Sequence, residues 1–396
     1  MPRHDEKRCL VRSLRASACR PSPIQELVLD AILLPKDRAI DAWRDLQRRC
    51  DIDSLDPASL QVMPLLYWSL AHQGIDDPLM AKLKGTYRMA WSRNQWLASR
   101  ALPALRMLNE GGIPTVLLKG AALNLLYGEQ HGIRLIGDVD VLVPEADALR
   151  AATVLGGLGW TPKDERIRVT TEFISVSKGL NLTEAGGGEL DLHWHLFPED
   201  YVASHEEPVW RHAVRLPMGG VPTLAPSPTE LLLHVCVHGW AWCPAPPFRW
   251  VVDAMTILRA SAAAIDWHRL VEEARRRGLV LRLEAALTYL RERFGADVPD
   301  RVLYALRTAP LTRWDHLEYR LRTRPVRTPI GGLILHALRF SRLRGEQGLR
   351  SGLAGFLEYF RRQWGLERAR QVPVRMAGKL AYRFARYLRR RVAPSG

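Results

Sequence analysis

The sequence predicts an α+β fold in which a small mixed β-sheet lies between two helical regions. Apolar residues recur at helical spacing over 24–110 and again from about 228 to 296. Between these regions, short apolar runs are bounded by glycine or proline, which is typical of buried strands. The chain has 396 residues, 47% hydrophobic and 25% charged, an ordinary globular composition.

Four helical segments are predicted before residue 111. The third, which starts near Ala58, ends at Gly74. The fourth begins near Asp77 and is long. We expect Pro103 to kink or split it, since proline removes a helical hydrogen bond, and the Gly111–Gly112 pair to end it.

In the central region, short apolar runs typical of strands alternate with helical segments. Residues 113–120 predict a buried strand, 121–128 a short helix, 138–143 a second strand and 145–159 another helix. Two strands joined by a glycine-rich turn are predicted over 173–197. A βαβ-like start followed by a hairpin gives a small mixed sheet.

Acidic residues share one face of two of these strands. Side chains alternate along a strand, so Asp138 and Asp140 lie on one face and the neighbouring valines on the other. In 189–196 the same alternation puts Glu189 and Asp191 on one face and leucines and Trp194 on the other. Two like charges about 6–7 Å apart repel unless a cation lies between them.

A divalent cation resolves this repulsion. Mg²⁺ is bound by one or two carboxylates together with substrate phosphates. Asp191 is the natural third carboxylate beside Asp138 and Asp140, which predicts a two-metal site for phosphoryl or nucleotidyl transfer at a sheet edge. The alternative is a solvent-exposed acidic face, which is common in antiparallel sheets.

Four histidines are candidate site residues. His193 and His195 share the face of Asp191, and a structural role is favoured for each. His234 and His238 have the i, i+4 spacing of metal ligands, but no third ligand follows, so core histidines are favoured.

Two further charged residues lie near the predicted site. Arg134, just before the acids, contacts a triphosphate or is a surface arginine. Asp253 pairs with Arg249 at i, i+4 or faces a cleft, and the structural role is favoured.

The segments "VLLKGAALNLLY", "GIRLIGDVDVLV" and "GELDLHWHL" resemble the nucleotidyltransferase superfamily with the polymerase-β-type core. More narrowly, they resemble a poorly characterised bacterial nucleotidyltransferase family with an "LKG…DxD…DLHW" pattern. The core resemblance covers about residues 111–200, and similar flanking helices extend it to roughly 25–300.

The resemblance implies Mg²⁺ (or Mn²⁺) held by Asp138, Asp140 and Asp191, which are also the catalytic residues. In the superfamily a Gly-Ser pair cradles the nucleotide phosphates. Here Gly120 is followed by Ala121 and preceded by Lys119, so a hydroxyl donor is replaced by a neighbouring charge.

A nucleotidyltransferase that moves an NMP from an NTP to a hydroxyl or phosphate acceptor is therefore predicted. A sugar phosphate, a small molecule, a peptide natural product or a protein would serve as acceptor. The alternative is a non-catalytic binding module with the same fold, which the missing serine favours and the three acids disfavour.

Charge is concentrated at the C-terminal end. Residues 337–396 carry fifteen Lys and Arg against three Asp and Glu, or +12 of the total +15. Arg375 and Lys379 begin a basic amphipathic pattern that suits an anionic membrane or nucleic acid. An arginine-rich solvated helix explains the pattern equally well. No obligate protein partner is indicated.

The five cysteines are scattered without a Cys-x-x-Cys pair, so no disulfide framework or structural zinc is expected. No secretory signal or apolar span occurs, and a cytoplasmic protein is predicted, with peripheral membrane contact left open.

Five regions are predicted: a basic segment (1–23), a helical region (24–110), the nucleotidyltransferase core (111–200), a second helical region (201–322), and a linker with a basic helical tail (323–396).

Overall fold

The structure is a computed structural model that describes residues 19–128, 133–241, 248–324, 329–344 and 348–381. Most of the predicted basic N-terminal segment, part of the predicted linker and the end of the basic tail lie outside these residues.

From residue 19 onward, five α-helices precede the sheet, as the helical spacing predicted. They are α1 (Pro23–Leu33), α2 (Lys36–Arg49), α3 (Pro57–Leu60), α4 (Met63–His72) and α5 (Met80–Glu110). Ser22 and Gln25 form a capping box at the start of α1. The predicted third helix is two helices, because Pro64 restarts the chain in the first turn of α4, where a missing N–H costs nothing.

The long helix α5 is not split at Pro103. It runs without a break to Glu110. Ala101, Ala104 and Leu105 are buried on both sides of the proline, and this tertiary packing holds the helix together against its local preference.

Seven strands form one mixed sheet in the order β3-β4-β5-β2-β1-β7-β6. They are β1 (Val116–Leu117), β2 (Val139–Leu142), β3 (Thr161–Pro162), β4 (Gly179–Thr183), β5 (Glu189–His193), β6 (Val214–Arg215) and β7 (Leu224–Ala225). Strand β2 pairs antiparallel with β1 and parallel with β5, and β4 pairs antiparallel with β5. The mixed sheet was predicted, whereas β3, β6 and β7 were missed because each has only two residues.

Several predicted boundaries were wrong. The strand over 113–120 is reduced to β1, since Lys119 already begins a helix. The hairpin begins at Gly179, and Phe173 lies in a short helix instead. The predicted sheet-edge position of the acids was also wrong, because β2 is the middle strand of the sheet.

The helices between strands are α6 (Lys119–Tyr127), α7 (Ala148–Gly157), α8 (Thr171–Ile174) and α9 (Glu207–Arg211). Those after the sheet are α10 (Pro228–Gly239), α11 (Arg249–Ser261), α12 (Trp267–Arg276), α13 (Val280–Phe294), α14 (Asp300–Arg307), α15 (Arg313–Arg322), α16 (Pro329–Leu343) and α17 (Gly352–Gln363). Residues 372–381 are also helical.

One continuous apolar core joins the N-terminal helices, the sheet and the helices up to α14. A second cluster contains Val176 and Tyr201 together with Phe340 and Tyr359 of α16 and α17, so this part of the basic region packs on the body of the protein. Across the described ranges, every helix is too short or too polar to span a bilayer.

Candidate active site

Two of the predicted acids face each other at the centre of the sheet. Asp140 on β2 and Asp191 on β5 are direct partners in the parallel register. Asp140 is only 2% exposed, whereas Asp191 is half-buried. Ligand atoms of Asp140, Asp191 and His193 lie within 4.8 Å of one another, a group that could hold a metal ion.

Asp138 lies just before β2, in a bend, and is half-buried. Burial and the charge of Asp140 raise the pKa of its carboxyl group. It does not belong to the compact group of possible ligands among the described residues. The structure therefore places the three acids near one another, with Asp138 outside the tightest cluster.

Lys119 neutralises the most buried acid. Its Nζ lies 2.5 Å from Oδ1 of Asp140. Burial alone would raise the pKa of Asp140, but the charge of Lys119 and the hydrogen bond from His193 outweigh it and hold that pKa far below its usual value.

The backbone of Lys119 is strained. It has φ 44°, and no other described non-glycine residue has a positive φ. This left-handed conformation costs about 1–2 kcal/mol for a residue with a Cβ atom. Such strain persists where the surroundings fix it and is concentrated at functional sites.

His193 bonds directly to Asp140, a contact that the favoured structural role did not include. Its Nε2 lies 2.8 Å from Oδ1 of Asp140, and its Nδ1 lies 3.4 Å from Nζ of Lys178. Burial, with Lys178 adding to it, lowers the pKa of His193 to about 3, so the ring is neutral at pH 7. A carboxylate only accepts, so Nε2 carries the ring hydrogen and donates it to Asp140.

Asp191 lies close to the negative charges of the other two acids. Burial and the charges of Asp140 and Asp138 raise its pKa to about 6. Asn181, its antiparallel partner on β4, donates a hydrogen bond to Oδ1 of Asp191. Lys178, whose pKa burial lowers to about 8, also faces this group, and neither it nor Asn181 was predicted from sequence.

Arg134 is held against the first turn of α6. It forms two hydrogen bonds to Asp253, of 2.8 and 3.0 Å, so the predicted pairing of Asp253 with Arg249 is wrong. A methyl group at Gly120 would come within 2.2 Å of Nη1 of Arg134. Glycine is needed here because the guanidinium group fills the space of a side chain.

Two buried asparagines fix the loop that carries Arg134. Asn94 and Asn124 both donate to the Arg134 carbonyl, at 2.8 and 2.9 Å, and Asn94 accepts from the Ile136 N–H. They were missed, although an asparagine among apolar helical positions is itself a signal of a buried polar contact.

Ala121 is buried in the first turn of α6 and offers no hydroxyl group. The first backbone N–H groups of a helix have no partner within the helix and carry a partial positive charge. This turn therefore presents N–H groups and the Lys119 side chain beside the acids.

Helices α10 and α11 lie beside Lys119 on the polar side of the sheet, whereas Asn181 is exposed there. A cavity of about 70 Å³ beside Lys119 is lined by His234 and His238 of α10 and by Arg249 of α11. Neither histidine belongs to the metal-ligand group found among the described residues. His234 is buried, as favoured, whereas His238 is exposed, so its predicted core position is wrong. His195 lies beside Glu145 and Glu206 and stacks on Tyr201.

The family assignment follows from a match over most of the chain. Residues 58–295 fit the model of a family described as uncharacterised nucleotidyltransferase. The chain belongs to this family. The predicted nucleotidyltransferase identity is confirmed, and the match covers the helices on both sides of the sheet.

Solved structures similar to this nucleotidyltransferase include the antibiotic-resistance factor ANT(2'')-Ia, with 15% identity, a TM-score of 0.31, and coverage of 51% of this chain and 95% of that chain. A nucleotidyltransferase-like antigen from Paracoccidioides brasiliensis has 14% identity, a TM-score of 0.32, and coverage of 55% and 94%. No curated protein sequence matches.

Proposed function

We propose that this nucleotidyltransferase moves an NMP group from a metal-bound NTP to an oxygen of a small or peptidic acceptor. One observation carries the proposal: Asp140 and Asp191 are in register at the centre of the sheet, with Lys119 bonded to the first. Family membership supports the transfer class, and the residues below support the roles.

The acids fit a divalent cation. Asp140 and Asp191 offer carboxylate oxygens, the ligands that Mg²⁺ and Mn²⁺ prefer, and burial together with repulsion from the other acids raises the pKa of Asp191. Asp138 is close enough to add to that repulsion. When bound, Mg²⁺ or Mn²⁺ supplies positive charge that stabilises the phosphate oxygens of the nucleotide. His193 orients Asp140 through its hydrogen bond.

The first turn of α6 would bind the nucleotide phosphates. Gly120 and Ala121 present backbone N–H groups at a helix N-terminus, which favours anions. Lys119 supplies the charge that replaces the missing serine hydroxyl group. Asp253 fixes two nitrogens of Arg134, which leaves Nη1 directed at Gly120.

Asp191 would act on the acceptor. It is half-buried, so an acceptor can reach it, and a pKa of about 6 suits a general base near neutral pH. The acceptor oxygen forms a bond to the α-phosphorus, the bond from that phosphorus to the bridging oxygen breaks, and pyrophosphate leaves. The acceptor proton passes to Asp191, whose orientation Asn181 fixes.

A second candidate is a binding module without transfer activity. Ala121 lacks the hydroxyl group, and Lys119 already neutralises Asp140, which would keep the acidic centre stable without a metal. Both candidate functions allow the protein to bind a nucleotide, but only the transferase moves the NMP group to an acceptor.

Transfer of label from α-³²P-labelled NTPs separates them. With Mg²⁺, we expect label to move to at least one of four acceptor types (sugar phosphates, hydroxylated small molecules, peptides and proteins), and Asp191→Asn to abolish transfer while nucleotide still binds. Nucleotide binding without transfer to any acceptor type would establish the binding module instead.

A further inference from the structure

A largely apolar cavity of about 220 Å³ lies between α4, α6 and α11. Its walls include Leu65 and Trp68 of α4, Tyr127 of α6, and Val252 and Thr256 of α11. The Nε1 atom of Trp68 is buried and has no hydrogen-bond partner among the described residues. Aromatic rings and an unused N–H donor suit a planar heterocycle with acceptor atoms.

This cavity adjoins the smaller cavity that contains Lys119. Four residues line both: Leu123, Arg134, Arg249 and Asp253. These four side chains lie on the boundary between the apolar space and the proposed phosphate site.

Arg249 is a cation with no carboxylate within 4.0 Å in the part of the chain that the structure describes. It donates to the Leu135 carbonyl at 3.0 Å, and among the described residues it forms no salt bridge within 4.0 Å. Burial lowers its pKa to about 10. A buried guanidinium group between the two cavities favours an anionic group on the molecule that occupies them.

We propose that the larger cavity, here called the nucleoside chamber, holds the base and sugar of the NTP whose phosphates lie at Lys119 and Arg249. The inference rests on the proposed function. Helix α6 sets the distance between the phosphate end and the nucleoside end of this site. Lys119 begins the helix and Tyr127 ends it, about 12 Å away at 1.5 Å per residue. A mononucleotide extended along the helix spans a comparable length.

The sheet order argues against the acceptor as occupant. Strands β5 and β4, which carry Asp191 and Asn181, lie on one side of β2. Strand β1, from which α6 follows, lies on the other side. An acceptor activated by Asp191 therefore approaches from the side opposite to the nucleoside chamber.

Inorganic tripolyphosphate separates the two halves of the nucleotide site. Binding of Mg²⁺ complexes of ATP, GTP, CTP, UTP and tripolyphosphate would be measured by calorimetry for the full chain. Leu65→Trp and Thr256→Phe fill the nucleoside chamber from different helices, so one misfolded variant does not end the test. Leu333→Trp, in a separate cavity of about 270 Å³, is the matched control.

The parent is expected to bind at least one NTP about tenfold more tightly than tripolyphosphate. Each filling variant should lose that excess and keep tripolyphosphate affinity, and Leu333→Trp should change neither. Filling variants that bind NTP like the parent, or a parent that binds NTP and tripolyphosphate equally, would overturn the inference alone. A parent that binds neither would overturn the proposed function, and the nucleoside chamber with it.

Discussion

Lys119 Nζ lies 2.5 Å from Oδ1 of Asp140, on a backbone held in the left-handed region. A single residue thus combines local strain with neutralisation of the most buried acid of the site. The ammonium group lies where the acids, the first turn of α6 and the smaller cavity meet.

Lys119→Met tests this relationship. Removing the charge leaves Asp140 buried with His193 as its one remaining side-chain donor among the described residues, so the free energy of unfolding without ligand should fall by about 3–5 kcal/mol. The KM for NTP should rise several-fold, because a phosphate contact is also lost. Steady-state kinetics and urea denaturation measure the two effects.

The matched control is Lys163→Met. Lys163 pairs with Glu189 on the surface of the same sheet, at 2.8 Å. Exposed pairs contribute about 0–1 kcal/mol, so this variant should retain stability and KM. If both lysine variants behave alike, Lys119 has no special role in the site.

Gly120→Ala tests the packing of Arg134 on α6. The added methyl group would meet Nη1 of Arg134 at 2.2 Å, and Asp253 restrains that group from moving away. We expect a loss of about 1–3 kcal/mol from overpacking and a larger KM for NTP. Gly85→Ala on α5, where no atom lies within 4 Å of the new methyl group, should be neutral or stabilising. Equal effects of the two changes would contradict the account.

The periodicity of the sequence was sufficient to predict the fold class and most helices, because the spacing of apolar residues indicates which face of each element is buried. It also placed Asp140 and Asp191 on the acidic faces of two strands, opposite the apolar faces. Alternation alone does not set register, however, and the direct pairing of these acids depends on the parallel alignment of β2 with β5.

Long-range contacts account for most of what the sequence could not reveal. Asp253 lies one helical turn from Arg249, yet it pairs with Arg134 from a distant loop. Lys178 and Asn181 come to the acids only through the β4–β5 hairpin. The tertiary arrangement decides such pairs, and no local pattern marks them.

Acid stability should depend on Glu199. Burial alone would raise its pKa, but Arg282 and Arg322, each 3.0 Å away, hold that pKa at about 2. A lowered folded-state pKa contributes stability above the unfolded value of about 4.5, and that contribution is lost as the pH falls toward 2. The shift corresponds to roughly 3 kcal/mol.

Glu199→Gln should therefore be less stable than the parent at pH 7 and lose less stability between pH 5 and pH 3. Urea denaturation at several pH values measures both. The exposed Glu110→Gln is the control and should follow the parent profile. If Glu199→Gln loses as much stability between pH 5 and pH 3 as the parent does, the arginines do not hold this carboxylate ionised.

The end of the basic region should bind anionic surfaces. Residues 382–396 contain five arginines and no acids, whereas α16 and α17 pack on the body through the second apolar cluster. Deleting only 382–396 removes these five arginines and keeps the residues of the second apolar cluster. Each basic residue near an anionic surface contributes about 1 kcal/mol.

Co-sedimentation with vesicles of anionic and of neutral lipid measures this binding. We expect the parent to pellet with anionic vesicles at low salt and the shortened chain to pellet markedly less. Equal pelleting would remove the membrane proposal. Preference for nucleic acid, with affinity that falls steeply with salt, would replace it.

The central claim is that Asp138 and Asp140 bind the metal–nucleotide complex while Asp191 acts on the acceptor, and a melting series tests it most directly. The parent, Asp138→Asn, Asp140→Asn and Asp191→Asn are compared with and without Mg²⁺ and each NTP. Without ligand, Asp140→Asn should be destabilised, since Lys119 and His193 lose their partner. Asp191→Asn should gain about 1–2 kcal/mol at pH 7, because its raised pKa shows that its charge opposes folding and its exposure weakens the effect.

With ligand at a hundredfold excess over Kd, the parent should gain about 2.7 kcal/mol. Asp138→Asn and Asp140→Asn should lose most of that gain, whereas Asp191→Asn should keep nucleotide binding. A parent whose melting temperature ignores Mg²⁺ with every NTP, together with variants that respond like it, would contradict the account.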